Sequence, residues 1–302
     1  MEEEEKVSTI SITQANMQHS ITASRVLSRT VSVKGIDIAL IQKPWYHEGY
    51  IRGLNIPGYT LLSAGGIDRH MACIRTRNET ASILPGSSCR DLVAVLIKYN
   101  DDGAERPLVV CSAYLLYDSD DHPPPLSKEF EELVRYCENE NLCLVIGCDS
   151  NAHNCIWGNT NFNDRGEALV EFLNYSNLEI LNQGNEPTFC SGCRLEVIDI
   201  TLGSFGLLES ITSWEVSSEP YLSDHRHILF MLQGSVPVRL IGYPRGTNWS
   251  SFKEGLRDRL EKGPEMNMKG EAGLGFAVHW VQQTLISAYE DNCPLRPVKT
   301  GR

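Results

Sequence analysis

In the stretch Leu142-Cys143-Leu144-Val145-Ile146-Gly147-Cys148-Asp149-Ser150-Asn151-Ala152-His153, an apolar run of strand length, Leu142 to Ile146, stops at a glycine. A carboxylate, an amide and an imidazole follow at alternate positions: Asp149, Asn151 and His153. A buried strand that ends abruptly in polar groups presents them at the rim of a sheet, where open α/β sheets place their chemistry. Beyond Trp157-Gly158 and Asp164-Arg165-Gly166 the pattern turns helical, with Leu169, Phe172 and Leu173 spaced for one face. An Asp two residues from an Asn can position water and phosphate. The plainer alternative is a polar turn closed by an Asx cap.

The chain has 302 residues, 41% of them hydrophobic, enough for one large α/β core or two ordinary domains. No apolar run reaches membrane-spanning length, and the acidic start, Met1 to Lys6, does not resemble a signal peptide. The ten cysteines are therefore expected to be reduced and intracellular, several of them packing as small hydrophobes. Cys190-Ser191-Gly192-Cys193 is a single CxxC without a second ligand pair, which is weak support for a zinc site. The net charge of −12 argues against a long grip on a phosphate backbone. It leaves room for a local basic patch over a cleft and for a carboxylate-rich metal site.

Taken in order, strands are expected over Ser8 to Gln14, Ile36 to Gln42, Met71 to Arg75, Leu92 to Tyr99 and Leu108 to Leu116. Further strands are expected over Leu178 to Leu181, Val197 to Leu202 with Asp199 at the centre, Ile211 to Val216 and His227 to Leu232. Helices are expected over Ser20 to Val33, after an N-cap at Ser127 with Phe130, Leu133, Val134 and Cys137 as its stripe, and over Glu167 to Tyr175. Tyr46 to Ala64 reads as a loop rich in glycine and aromatics, and Pro123-Pro124-Pro125 as a stiff approach to the second helix. Residues 1–7 read as a disordered acidic start, 8–234 as one domain, and 235–302 as a Pro/Gly-marked linker with two amphipathic helices, Trp249 to Leu260 and Phe276 to Tyr289, and an extended end.

Polar groups recur after the apolar runs: Asn16, Lys43, Tyr114, Asp149 with Asn151, Asp199, and Asp224-His225. Each alone has an ordinary reading. Asn16 can be a turn residue and Tyr114 a tethered core aromatic. Asp199 is harder to dismiss, because a carboxylate inside an apolar strand needs a partner. An adjacent acid and imidazole, Asp224 and His225, suit acid–base work.

These residues lie in a series of motifs: Gln14-Ala15-Asn16 with Gln18-His19-Ser20, Ile41-Gln42-Lys43-Pro44-Trp45 with Gly53-Leu54, Ser112-Ala113-Tyr114, and Gly147 to His153 with Trp157-Gly158 and Arg165-Gly166. Leu181-Asn182, Pro187-Thr188-Phe189, Ile198 to Leu202 and Ser223-Asp224-His225 complete it. In this order the motifs resemble the endonuclease/exonuclease/phosphatase superfamily, and within it the apurinic-type endonuclease domain of non-LTR retrotransposons, over roughly residues 8–232.

The resemblance implies an α/β (α+β) four-layer sandwich, two packed β-sheets flanked by helices. It implies hydrolysis of a phosphodiester with Mg²⁺ or Mn²⁺, nicking target DNA to leave a 3′-hydroxyl that primes reverse transcription. By the same resemblance Asn16 and Asp224 attend the metal, Asp149 orients or deprotonates the attacking water, and Asn151 and Tyr114 contact the phosphate. Asp199 pairs with His225, which stabilises charge on phosphorus. Lys43 stands where the family has Glu. An ammonium is no metal ligand, so the resemblance also allows a degenerate relic of the domain; a phosphatase acting on a small phosphoester is the third reading. The expected partners are target DNA, a C-terminal reverse transcriptase and element RNA, with no membrane, and the expected site of action is the nucleus.

Overall fold

The computed structural model describes residues 9–65, 69–101, 104–116, 126–219, 221–234, 240–242, 246–264 and 270–297. The acidic start at 1–7 and the Pro123-Pro124-Pro125 approach fall outside them. The chain divides near Val236 into two compact units.

The larger unit is built on two six-stranded sheets. In the first, the strand order is Ile211–Val216, Ile228–Gln233, Thr9–Asn16, Ile38–Gln42, Ala72–Thr76 and Thr60–Leu62. In the second it is Leu178–Ile180, Asp199–Ser204, Cys143–Asp149, Ala104–Tyr114, Leu92–Asp101 and Ser82–Ile83. Each sheet has one parallel pair at its centre, Thr9–Asn16 with Ile38–Gln42 and Ala104–Tyr114 with Cys143–Asp149. Parallel neighbours need a crossover, and in each case the intervening chain holds a helix: Ile21–Lys34 in the first, Lys128–Asn139 in the second.

The central strands are apolar on both faces because both faces are covered. Ile12, Leu40, Ile74, Val95, Val110, Val145 and Phe230 fill the space between the sheets. Leu27 and Val31 of the first helix pack with Ile41 and Cys73 on the outer face of the first sheet. Phe130, Leu133, Val134 and Cys137 pack with Cys111, Ile146 and Leu169 on the outer face of the second. The result is the expected sandwich of two sheets with helices outside.

The helix ends follow their capping residues. The Ser20 hydroxyl accepts from the Ala23 amide at 3.2 Å, and Gly35 closes the same helix in the left-handed region, φ 64°. The Ser127 hydroxyl accepts from Phe130 N at 3.2 Å. Asn163 caps Asp164–Tyr175, three residues earlier than the expected start at Glu167, because its Oδ1 accepts from Gly166 N at 2.8 Å.

Three other expectations need correction. The strand thought to stop near Ile146 runs on through Asp149, and the glycine inside it is a packing device. A Cβ on Gly147 would stand 2.9 Å from Leu40 Cδ1 and 3.0 Å from Gln14 Oε1 of the opposite sheet. Asp199 opens its strand, Asp199–Ser204, rather than sitting at its centre. The Tyr46 to Ala64 region is not all loop: it carries a small hairpin, Tyr46–His47 with Tyr50–Ile51, and the edge strand Thr60–Leu62.

The smaller unit contains the helices Trp249–Glu261 and Gly270–Glu290 and a two-stranded ribbon, Leu240–Gly242 against Leu295–Pro297. The ribbon lies in segments read from sequence as linker and extended end. Arg259 bonds Ser287 Oγ at 2.7 Å and also pairs with Asp291 across the two helices. Among the described residues no helix is long and apolar enough to cross a membrane.

Cys111, Cys137 and Cys148 are free thiols, and burial raises those of Cys111 and Cys148 well above their ordinary range and that of Cys137 to about 12. A thiolate is the reactive form. Native protein treated with a chromogenic disulfide reagent is expected to label the exposed Cys155 and Cys193 promptly and to spare Cys111 and Cys148 until denaturant is added; mapping the labelled peptides checks this. Gly147→Ala is expected to lower stability by about 1–3 kcal/mol through overpacking between the sheets, read by urea denaturation.

Candidate active site

The strands Thr9–Asn16, Ala104–Tyr114 and Cys143–Asp149 end on polar residues at one end of the sandwich, and Asp199 opens its strand there. The register of the second sheet places Asp149 opposite Tyr114 on one side and Asp199 on the other. The first sheet contributes Asn16, whose Nδ2 donates to Asp149 Oδ2 at 2.6 Å. Lys43, just past Ile38–Gln42, places Nζ 3.8 Å from the same oxygen and 4.4 Å from the centre of the Tyr114 ring. His225 Nδ1 lies 2.8 Å from Asp199 Oδ2. Asn16, Lys43, Tyr114, Asp149, Asp199 and His225 are thus brought together.

Asp149 and Asp199 are buried, and each keeps one oxygen, Oδ1, without a hydrogen-bond partner. Burial is the strongest influence on Asp149 and pushes its carboxyl up to about 6, with Asp199 adding to the rise. His225, Lys43 and the Asn16 amide oppose it. Burial alone would depress His225, but the charge and hydrogen bond of Asp199, helped by Asp149, outweigh it and raise the imidazole.

Neighbouring residues hold these groups in place. The Thr188 hydroxyl accepts from both Ile198 N and Asp199 N, at 3.1 and 3.0 Å. Phe189 meets the His225 ring edge to face at 4.9 Å. Cys190 N donates to Asp224 O at 2.7 Å, so the CxxC pair sits on a hairpin, Phe189–Ser191 with Arg194–Glu196, beside the site. Asp224 does not reach the buried group. Its Oδ2 accepts from Gln18 Nε2 at 3.2 Å, and Ser223 Oγ ties the segment to Asn16 O at 2.8 Å. Asn151 stands in the left-handed region, φ 48°, and donates from Nδ2 to Leu115 O at 2.6 Å, so its amide is fastened to the backbone beside the site.

Asp149, Asp199 and His225 place ligand atoms within 4.8 Å of one another and could hold a metal ion. The two unpartnered carboxylate oxygens suit a hard cation, which prefers oxygen donors. Asn16 offers its nitrogen to this group, while its carbonyl oxygen accepts from Gln18 N at 2.8 Å.

Sequence reasoning gave no role to Gln14, Gln42, Ser112 or Thr188, although all four lie in the quoted motifs. The available signal was polarity at buried strand positions. Gln42 Nε2 donates across the sheets to Ser112 Oγ and Gly147 O, both at 3.0 Å, and Gln14 Nε2 donates to Cys148 O at 3.2 Å.

Residues 108–229 match the family described as endonuclease-reverse transcriptase. The two-sheet sandwich of this chain is the endonuclease/exonuclease/phosphatase fold. The chain is 30% identical over 254 residues to the RNA-directed DNA polymerase from mobile element jockey of Drosophila funebris, an alignment covering 79% of this chain and 26% of that protein. The chain therefore spans about a quarter of the length of that curated relative. The superfamily fold is shared with the endonuclease domain of TRAS1, a telomere-specific non-LTR retrotransposon, at TM-score 0.61 and 24% identity, covering 75% of this chain and 99% of that one. It is shared also with the AP endonuclease LMAP from Leishmania major, at TM-score 0.57 and 10% identity over 75% and 88% of the two chains.

Thr188→Val leaves two buried amides without their acceptor, a loss of about 2 kcal/mol. Urea denaturation is expected to show that loss, and Thr188→Ser is expected to recover most of it.

Proposed function

We propose that this chain is a DNA-nicking endonuclease that hydrolyses a phosphodiester at the Asp149–Asp199–His225 group and leaves a 3′-hydroxyl from which a reverse transcriptase primes. The observation that carries the reading is the convergence of two buried carboxylates, a raised imidazole, an amide and a phenol at the sheet ends. It is supported by similarity to a polymerase of a mobile element and to a retrotransposon endonuclease domain.

In this reading Asp149 takes the proton of the attacking water, and its raised affinity for that proton suits a general base near neutral pH. Asp199 holds His225 by its Nδ1, which leaves Nε2 to meet a phosphoryl oxygen and stabilise the charge that develops there. Tyr114 and Asn151 line the approach of the phosphate. A divalent ion, Mg²⁺ or Mn²⁺, would be held by Asp149 and Asp199, with Asn16 acting only through its bond to Asp149 and Asp224 outside the ligand set, and would supply polarisation of a phosphoryl oxygen. Target DNA is the substrate, a reverse transcriptase and element RNA are the partners in a longer protein, and the nucleus is the place of action. The Lys43–Asp149 ion pair favours a second reading, a relic that keeps the fold and has lost turnover.

The test is conversion of supercoiled plasmid to open circle with MgCl₂ or MnCl₂. Asp149→Asn and His225→Ala are each expected to reduce the rate at least roughly hundredfold, with circular dichroism confirming the fold. The nick is expected to be extended by a DNA polymerase without prior phosphatase treatment. An unchanged rate in Asp149→Asn would sink the assignment of the base. No nicking by the folded chain at any metal concentration would favour the relic.

A further inference from the structure

The Asp149 carboxylate has no exposure, and its Oδ2 is already bonded by Asn16 Nδ2. Lys43 Nζ faces the same oxygen at 3.8 Å with its side chain 22% exposed, and it also lies over the Tyr114 ring. The ammonium is thus aimed inward, against the buried Asp149 carboxylate, when a lysine at a rim would ordinarily extend into water. Its backbone holds it there. Lys43 has φ 43°, and its amide and carbonyl are both taken, by Met71 O at 2.8 Å and His19 N at 2.8 Å. A lysine in the left-handed region is uncommon and persists only where the surroundings impose it.

The two buried carboxylates have counter-charges within the chain itself, Lys43 at Asp149 and His225 at Asp199. A divalent ion placed between Asp149 and Asp199 would lie beside the ammonium and be repelled by it at short range in a poorly screened site. We propose that Lys43 is a tethered cation: its ammonium takes the position of a divalent ion against Asp149, and Mg²⁺ or Mn²⁺ enters only by displacing the lysine. The consequence for the proposed nuclease reading, on which the functional side of this inference rests, is that position 43 sets the metal requirement. Lys43 also becomes the group that presents positive charge to an arriving phosphate beside Tyr114.

The test uses thermal melting of the full chain and of Lys43→Met and Lys43→Glu, in EDTA and across a MgCl₂ titration. The melting temperature of the unmodified chain is expected not to move with Mg²⁺. Lys43→Met is expected to melt lower in EDTA, because Asp149 loses its cation, and to recover as Mg²⁺ is added. Lys43→Glu is expected to show the same recovery at a lower Mg²⁺ concentration, at least roughly hundredfold below any response of the unmodified chain, which corresponds to removing a repulsion and adding an oxygen ligand. Melting of the unmodified chain that rises with Mg²⁺ over the same range as Lys43→Met would overturn the proposal. Should the variants fail to fold, Mn²⁺ binding to the unmodified chain decides by electron paramagnetic resonance. Free Mn²⁺ only supports the tethered cation, and one tightly bound ion per chain overturns it. Plasmid nicking separates the two readings: a chain that never nicks but shows the melting pattern loses the nuclease reading alone. A chain that nicks, with Mg²⁺-responsive melting, loses the tethered cation alone.

Discussion

The constraint on which the site depends is the close approach of the two sheets where they meet it. Gln42 reaches from the first sheet to Ser112 Oγ and Gly147 O of the second, and Ser112 Oγ donates back to Ile41 O at 2.8 Å. Gln14 spans the same gap to Cys148 O and accepts from Thr201 Oγ1 at 3.0 Å, and Thr201 Oγ1 accepts from Trp214 Nε1 at 3.0 Å. Buried amides are costly unless satisfied, so these bonds specify one register between the sheets rather than many. They also require a residue without a side chain at Gly147. The amide contacts lie one or two residues from Asn16, Lys43 and Asp149.

That registration lets two carboxylates share a buried site. Asp149 and Asp199 stand opposite each other in adjacent strands, an arrangement that repels when both are ionised. The first sheet supplies the relief, as Asn16 and Lys43, and the Ser223–His225 segment supplies the imidazole. None of these groups is on the sheet that carries the carboxylates. A separation of the sheets would therefore strip Asp149 of Asn16 and Lys43, so the chemistry of the site and the packing of the sandwich are held by the same contacts.

Much of this was legible in the sequence. The apolar strands, the capped helices and the series of polar residues after them can each be read from spacing, and the order of motifs pointed to the two-sheet sandwich. What stayed illegible depends on the opposite sheet. Gly147 looks like a strand terminator until the packing against Leu40 and Gln14 shows why a glycine continues a strand there. Asp199 looks central because Val197 and Ile198 are apolar, yet the ladder starts at Asp199 and the Thr188 hydroxyl accepts from the amides of Ile198 and Asp199. The Tyr46–Ile51 hairpin is too short for periodicity to detect. Lys43 was legible as a departure from the family that the motifs resemble, but the direction of its side chain was not.

The backbone carries its own record of the same demand. Gln18, His19, Lys43, Asn151 and Leu222 all have positive φ, and all lie within three residues of a group at the site or of the Ser223 hydroxyl that ties to it. For a residue other than glycine such a conformation costs on the order of 1 kcal/mol. Each bend turns the chain sharply at the rim, just after a strand has delivered its last side chain or just before Ser223. The bends are held by bonds that cross between segments: His19 N to Lys43 O, Asp224 N to Gln18 Oε1, and Asn151 Nδ2 to Leu115 O. Strain of this kind persists where surrounding contacts over-determine it. At this rim the strained residues tie together the loops of each sheet, so the site is fixed from behind by the amide bridges between the sheets and from in front by the bends.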